Sequence, residues 1–379
     1  MNIVVLRETQ ADEARVALMP ESVKKLIALK AAVVIESGAG AKASRSDDDY
    51  RDAGAQISDD RNALMQSADV VVAVNRPEDL SKFKPGTVLI GFLRPLDEPA
   101  ALKPALENNL TTFAMELVPR ITRAQSMDGL SSMATVAGYK AVIIAAERSS
   151  RMFPLLMTAA GTVPPAKVLV LGAGVAGLQA IATARRLGAV VEAYDVRKAA
   201  GEQVRSLGAN FLEVDLGGLK TEDAGGYAVE LSDEALERGR QLIAERAATN
   251  DIIITTAQVP GRRAPVLLTE AAVAGMKPGS IIIDLAGSTG GNCVLSKPDE
   301  TVDVNGVEIF APLNLPATVP VHASQLYSRN ITSFLTPLIK EGQLHLDMND
   351  DVVGPSCVTH DGKWINQRVA AAVEVNVDH

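Results

Sequence analysis

The sequence predicts an α/β chain: two domains built on parallel sheets, joined by long helices, with a cleft between them. Three observations predict it. Short apolar, strand-like runs alternate with helical patterns along most of the 379 residues, the arrangement that parallel α/β architecture requires. That length exceeds one ordinary core and fits two α/β domains. The alternation also stops and restarts once, across a helical pattern at Met127–Glu147 and a Pro-broken stretch at Thr162–Pro165.

The elements follow in order. Strands are expected at Ile3–Leu6, Ala32–Ile35, Asp69–Val74, Val88–Ile90 and Thr111–Ala114. Pro20–Leu29 reads as a helix that Pro20 opens, because a first-turn position needs no N–H. Met127–Glu147 carries no proline and bridges the domains. Strands resume at Val168–Leu171, Val190–Tyr194, Ile252–Thr255 and Ile281–Asp284, with an amphipathic helix over Glu230–Ala247. Val302–Phe310 alternates around Asn305-Gly306, the residues a type I′ hairpin turn favours. A helical stretch, Val321–Leu338, and a tail close the chain and are expected to return to the first domain. Domain one is therefore 1–127 plus about 319–379, and domain two is 128–318, linking helix included. No repeat of fixed period is visible.

Composition narrows the function. Hydrophobic residues make up 47% and charged residues 22%, a globular balance. A net charge of -9 excludes a general nucleic-acid binder, which needs clustered cations, and disfavours direct docking on anionic lipid. Two cysteines, Cys293 and Cys357, without CxxC spacing, predict free thiols in a reducing compartment. The first residues lack a basic signal region, and no apolar run is expected to reach membrane-spanning length, the best candidate, Ala141–Ala146, being closed by Glu147 and Arg148, so a cytoplasmic protein is expected. No Cys/His spacing suits a metal, and neither a GxSxG elbow nor a GxxxxGK[ST] loop is present.

The strongest local signal is Gly172-Ala-Gly174-Val175-Ala-Gly177, placed between a strand and a helical pattern. Gly172 permits the tight turn, Gly174 lets a pyrophosphate approach the backbone, and Gly177 lets helix and strand pack closely. The helix start supplies N–H groups and partial positive charge to the phosphates. The next strand ends at Asp195-Val196-Arg197. An acidic residue there accepts from a ribose diol and repels a 2′-phosphate, favouring NAD, whereas Arg197 is a residue type that accommodates that phosphate. A second glycine pair, Gly38-Ala-Gly40, also follows a strand, but the polar, acidic Ser44–Asp49 comes next. It reads as a structural turn, leaving domain one Rossmann-like without a dinucleotide.

Arg120-Ile-Thr-Arg123-Ala-Gln125-Ser-Met-Asp128-Gly-Leu-Ser131-Ser132 is the second informative stretch. It reads either as a cleft-facing polar cluster, with Gln125 able to donate to and accept from a carboxamide, or as a capped, solvated helix start with Asp128 and Ser131 as caps. Gly217–Gly226 reads either as a hinge tipped by Tyr227 or as ordinary surface loop. The histidines, His322, His345, His360 and His379, lie far in sequence from both motifs. Hydride exchange between two nicotinamides moves no proton, so alignment and exclusion of water suffice without a general acid.

With these residues in view, the chain resembles the NAD(H)-binding component (domain I, or alpha subunit) of proton-translocating nicotinamide nucleotide transhydrogenase over nearly its whole length. The likeness is carried by Arg15 to Pro20, Arg120 to Ser132, Ala137 to Val142, Met157 to Pro164 and Gly172 to Arg197. Gly225-Gly226-Tyr227, Thr255 to Gly261, Met276 to Ser280 and Gly290 to Cys293 match as well. The resemblance implies that Arg120, Gln125, Asp128 and Ser131 hold the nicotinamide end, and that Asp195, Val196 and Arg197 hold the adenosine ribose. Gly226 and Tyr227 would close a loop over the nucleotide, with Gln258 beside it. It also implies a homodimer at the inner face of a membrane, docked on a membrane-spanning component and a separate NADP(H)-binding component, with hydride transfer coupled to proton translocation. Met133, Gln258 and Ser288 depart from the family pattern. Alanine dehydrogenase is the more distant resemblance, and the alternative is a free-standing amino-acid dehydrogenase of that type. Asn75-Arg76-Pro77 stands where that family's pattern has its substrate-binding Lys, and Arg94 where it has its catalytic His.

Overall fold

The computed structural model describes residues 1–214, 233–259 and 261–375. They form two compact units, Met1–Met133 with Pro316 onward, and Ala134–Leu315.

The first unit is built on eight strands. Lys363–Trp364, Cys357–His360, Thr111–Ala114, Val88–Phe92, Val70–Asn75, Asn2–Val5, Ala32–Glu36 and Gln56–Ser58 lie side by side in that order. The last six run parallel, with Ile3 opposite both Val33 and Val70. Ile3, Val4, Val5, Val70, Val71 and Val72 are fully buried, as continuous aliphatic strands covered on both faces must be. Pro20–Ala28 is a helix that opens on its proline. The chain's tail adds the antiparallel edge: Cys357 pairs with Phe113. Those two tail strands, and Gln56–Ser58, lie outside the sequence expectation, because they lack the aliphatic run that marks the others. The helix Pro320–Leu335 is pinned by buried polar contacts. Its Tyr327 hydroxyl donates to the Ala73 carbonyl at 2.8 Å, and the Ser324 and Ser328 hydroxyls accept from the amides of Val16 and Met19.

The second unit holds a sheet ordered Asn210–Leu212, Val190–Tyr194, Lys167–Leu171, Ile252–Thr255, Ile281–Asp284, Val307–Phe310 and Thr301–Val304. All neighbours are parallel except the final hairpin, whose Asn305 and Gly306 both have positive φ, as its turn type demands. Strand order reverses at Lys167–Leu171, the topological switch point where α/β sheets hold their ligands, beyond the strands' carboxyl ends. The fold class is thus the mixed α/β architecture of two Rossmann-like units.

Two features correct the sequence reading. Gly129–Arg148 forms one helix with mean hydropathy 1.3, long and apolar enough by composition to cross a membrane. A count of strict apolar runs passes over it, because Gly, Ser and Thr interrupt the run without making the segment polar. Its Ala141, Val142, Ile144 and Ala145 are packed in the second unit's core, the placement of a core helix. The other is a small hairpin, Leu156–Thr158 with Gly161–Val163, that carries Met157 80% exposed beside exposed Leu155 and Met152. Cys293 and Cys357 are free and buried, and burial pushes the Cys357 thiol up to about 12.

Candidate functional site

The turn between Leu171 and Val175 is set by its three glycines, each for a different reason. Gly172 has φ +97, and a Cβ there would meet the Thr256 Oγ1 at 2.6 Å. Gly177 lies against the strand end, where a Cβ would fall 1.8 Å from the Gly172 carbonyl oxygen. Around Gly174 a Cβ would meet nothing within 4 Å. That opening sits at the N-terminus of the helix Val175–Arg186, whose first amides face it unpaired by helical geometry. Space, bare backbone and partial positive charge together fit a pyrophosphate, so the residues present suit a dinucleotide. Val175 is partly exposed at the same rim.

Asp195 ends the neighbouring strand, as expected, but its carboxylate is already engaged. Oδ2 accepts from the Ala173 amide at 2.7 Å and from Arg197 Nη2 at 2.8 Å; Oδ1 accepts from the Arg197 amide and Nε at 2.8 and 2.9 Å. Four bonds fill the roughly four acceptor sites of a carboxylate. The acid therefore fastens the glycine turn, and a ribose diol would have to displace one of these donors. Val196 packs, half-buried, on the adjoining core. Gln258 is exposed and donates through Nε2 to the Leu285 carbonyl at 2.8 Å. Gly226 and Tyr227 lie outside the described residues.

The sequence reading missed the struts behind this turn. Asn292, fully buried, accepts from the Ala257 amide and donates to the carbonyls of Ala257 and Pro265. Asp284, also fully buried, accepts from the Thr255 hydroxyl, the amides of Ala286 and Cys293 and the Ser296 hydroxyl. Together they fix Thr255–Gln258, whose Thr256 hydroxyl donates to the Gly172 carbonyl at 3.0 Å. Gly138 was missed too: a Cβ there would lie 2.1 Å from the Ala176 carbonyl, so the long helix crosses the helix Val175–Arg186 at backbone contact. The Gly290-Gly-Asn292-Cys293 string was the available signal for Asn292.

In the first unit, Thr122–Met127 is a 3-10 turn leading into the helix Gly129–Arg148. Asp128 caps that helix: its oxygens accept from the Ser131 amide at 2.8 Å and hydroxyl at 2.6 Å. The capped-start alternative thus describes Asp128 and Ser131 here. Gln125 is different. It is exposed, and among the described residues its amide makes no side-chain hydrogen bond, leaving donor and acceptor available. Arg120 is exposed close by in sequence.

The first unit's own glycine pair is closed. Asp47 Oδ1 accepts from the Gly38 amide at 2.9 Å, and a Cβ on Gly40 would strike the Tyr50 ring at 2.6 Å. At this sheet's switch point, between Asn2–Val5 and Val70–Asn75, the Arg15 guanidinium forks onto Glu13 at 2.8 and 2.6 Å. Asn75 Nδ2 donates to Glu13 and to Glu8. Burial pushes the Glu8 carboxyl up to about 7. Burial also opposes the Glu13 charge, but Arg15 outweighs it and holds that carboxyl down at about 2.

Two α/β units, one with an open glycine turn at a helix start and one with its glycine turn closed, are the architecture of a dinucleotide-binding protein of the dehydrogenase kind. Comparison with known proteins narrows this. Residues 4–137 match the N-terminal domain, and 141–367 the C-terminal domain, of the alanine dehydrogenase/PNT family. The chain is 48% identical over 376 residues to the first portion of the NAD(P) transhydrogenase alpha subunit of Rhodospirillum rubrum, covering 97% of this chain and 98% of that one. A crystal structure of transhydrogenase from Sinorhizobium meliloti superposes with TM-score 0.88 at 45% identity, covering 96% of this chain and 100% of that one. Alanine dehydrogenase of Halomonas elongata is 30% identical over 98% of this chain and 96% of its own length. The chain belongs to the alanine dehydrogenase/PNT family, on the side of the transhydrogenase alpha subunits.

Proposed function

We propose that this chain is the NAD(H)-binding subunit of a proton-translocating NAD(P) transhydrogenase. When bound, the nicotinamide supplies a hydride, passed directly to NADP+ on a partner component. In this reading 128–318 is the nucleotide domain, and 1–127 with about 319–379 holds none. The observation that carries it is the open space over Gly174 at a helix N-terminus, beside two glycines that tolerate no side chain.

The roles follow from the residues. Gly172, Gly174, Val175 and Gly177 receive the pyrophosphate; Asp195, Val196 and Arg197 face the ribose, Arg197 yielding its hold on Asp195 as the diol arrives; Gln258 lies alongside. Arg120, Gln125, Asp128 and Ser131 orient the nicotinamide, Gln125 through its uncommitted amide. Gly226 and Tyr227 close over the nucleotide. Direct transfer between two nicotinamides asks for orientation and dryness and for no proton donor.

The likeness to proteins called subunits supports further components: one spanning the membrane and one binding NADP(H), with this chain cytoplasmic at the inner face. The exposed Leu155, Met157 and Val163 hairpin supports a homodimer, since such apolar protrusions mark interfaces. An alanine-dehydrogenase activity is disfavoured by Asn75-Arg76-Pro77 and Arg94, which stand where that family's pattern has its substrate-binding Lys and its catalytic His. Mixing the protein with an NADP(H)-binding component and following NADH-dependent reduction of an NADP analogue tests the proposal. Turnover of alanine with NAD by the protein alone would overturn it.

A further inference from the structure

The turn that presents Gln125 packs Ala124 and Met127 inward but also borders a void. A cavity of about 260 Å³ lies against it, lined by Arg123, Met127, Phe334, Leu338, Asp350 and Val353 among others. Packing alone cannot fix a turn that borders a void, because the missing neighbours supply no contacts. Two polar attachments hold it instead. Arg123, inside the turn, donates from Nη2 to Asp350 Oδ1 at 2.8 Å and also to Asp351. Asp350 in turn accepts from the amides of Val352 and Val353, which fixes its carboxylate in place. From the other side, Asn330 in the helix Pro320–Leu335 donates from Nδ2 to the Ser126 carbonyl at 2.9 Å. A carbonyl can only accept, so the amide's orientation is settled.

Asn330 is buried, and its Oδ1 has no hydrogen-bond partner among the described residues. Leaving a buried acceptor unsatisfied opposes folding. An amide kept under that penalty is there for the one bond it makes. We propose that Asn330 and Arg123 are positioning residues: they clamp the turn on either side of Gln125 and so fix the direction in which its amide points. This rests on the transhydrogenase reading for its consequence, though the clamp itself is a statement about the turn.

The test uses Asn330→Leu and Arg123→Met, with Arg123→Lys as the conservative variant, in the protein combined with an NADP(H)-binding component. The clamp predicts that kcat for reduction of an NADP analogue by NADH falls about tenfold in the first two while KM for NADH stays within about twofold, and that Arg123→Lys recovers much of the rate. It also predicts faster amide hydrogen exchange confined to Thr122–Met127. A merely structural role would instead lower the melting temperature and raise exchange throughout the unit. Unchanged exchange in the turn, or kcat and KM moving together, would overturn the clamp. If wild-type protein reduces no analogue, the transhydrogenase reading fails, and the exchange measurement still decides the clamp.

Discussion

Gly174→Ala separates a binding turn from a structural one. The backbone there has φ -77, which alanine adopts freely, and the new methyl meets no protein atom within 4 Å. Stability should therefore change by less than about 1 kcal/mol. The same methyl would stand in the space we assign to the pyrophosphate and hold it off the helix amides. Loss of one such contact raises the NADH dissociation constant at least about tenfold, equivalent to about 1.4 kcal/mol. Gly177→Ala should do the reverse in kind. Its Cβ would lie 1.8 Å from the Gly172 carbonyl oxygen, which only backbone movement relieves. Forced overpacking of this sort costs roughly 3 kcal/mol, lowering the melting temperature by about 6–12 °C. Gly40→Ala, with Tyr50 in its way, should destabilise while NADH affinity is kept. Calorimetry and titration of NADH fluorescence read both quantities on the same samples. A Gly174→Ala protein that binds NADH like the wild type, at an unchanged melting temperature, would falsify the placement of the phosphates.

Asp195→Ala should weaken NADH binding and, by freeing Arg197 and the Ala173 amide, cost about 1.5–3 kcal/mol of stability; an unaltered affinity would remove Asp195 from the ribose. Gln125→Asn should leave melting temperature and NADH affinity nearly unchanged, since the side chain is exposed, while slowing hydride transfer in the combined system. A full rate there speaks against the orienting role. Asn292→Ala deletes three buried hydrogen bonds and should cost about 2–4 kcal/mol, seen as a lower denaturant midpoint. Glu116 gives a pH signature, because burial pushes its carboxyl up to about 7 from 4.5. The folded protein then binds a proton that the unfolded chain releases, so stability is greatest below pH 4.5 for this group and falls as pH rises to about 7. Glu116→Gln should flatten that stretch of the stability–pH curve, and an identical slope in both proteins would count against the buried acid.

Legibility in the sequence followed the physics of each feature. Val168–Leu171 and Ile281–Asp284 were visible because strands buried on both faces read as unbroken aliphatic runs. The turn at Gly172–Gly177 was visible because all three glycine demands fall within six residues, and a Cβ at two of them has no room. The tail strand Cys357–His360 was hidden: Cys-Val-Thr-His is not an aliphatic run, and its partner Thr111–Ala114 is remote in sequence. Asp128 and Ser131 show the limit of residue types. A carboxylate three residues before a serine suits a ligand and a helix cap equally, and only the 2.8 Å amide contact says which bond is made in this structure. Asn330 was silent, since a lone asparagine announces nothing until its burial and partners are known, and Asn292 was marked only by the glycine pair before it.

The two glycine turns also bear on why one unit is assigned the nucleotide. Both follow a parallel strand, and both begin with a glycine at positive φ, Gly38 at +76 and Gly172 at +97. They part at the next step. In the first unit, the protein's own carboxylate, Asp47, takes the Gly38 amide, and backbone and hydroxyl hydrogen bonds draw that acid below its usual range. Tyr50 fills the space over Gly40, with its hydroxyl donating to the Leu18 carbonyl at 2.8 Å. An arriving phosphate would have to expel a like charge and a buried ring. In the second unit the nearest acid, Asp195, also reaches a turn amide, but from the strand side, and the space above Gly174 stays clear. On the proposed assignment, what separates the two turns is not the glycine spacing but whether a neighbouring side chain already fills the place an anion would take.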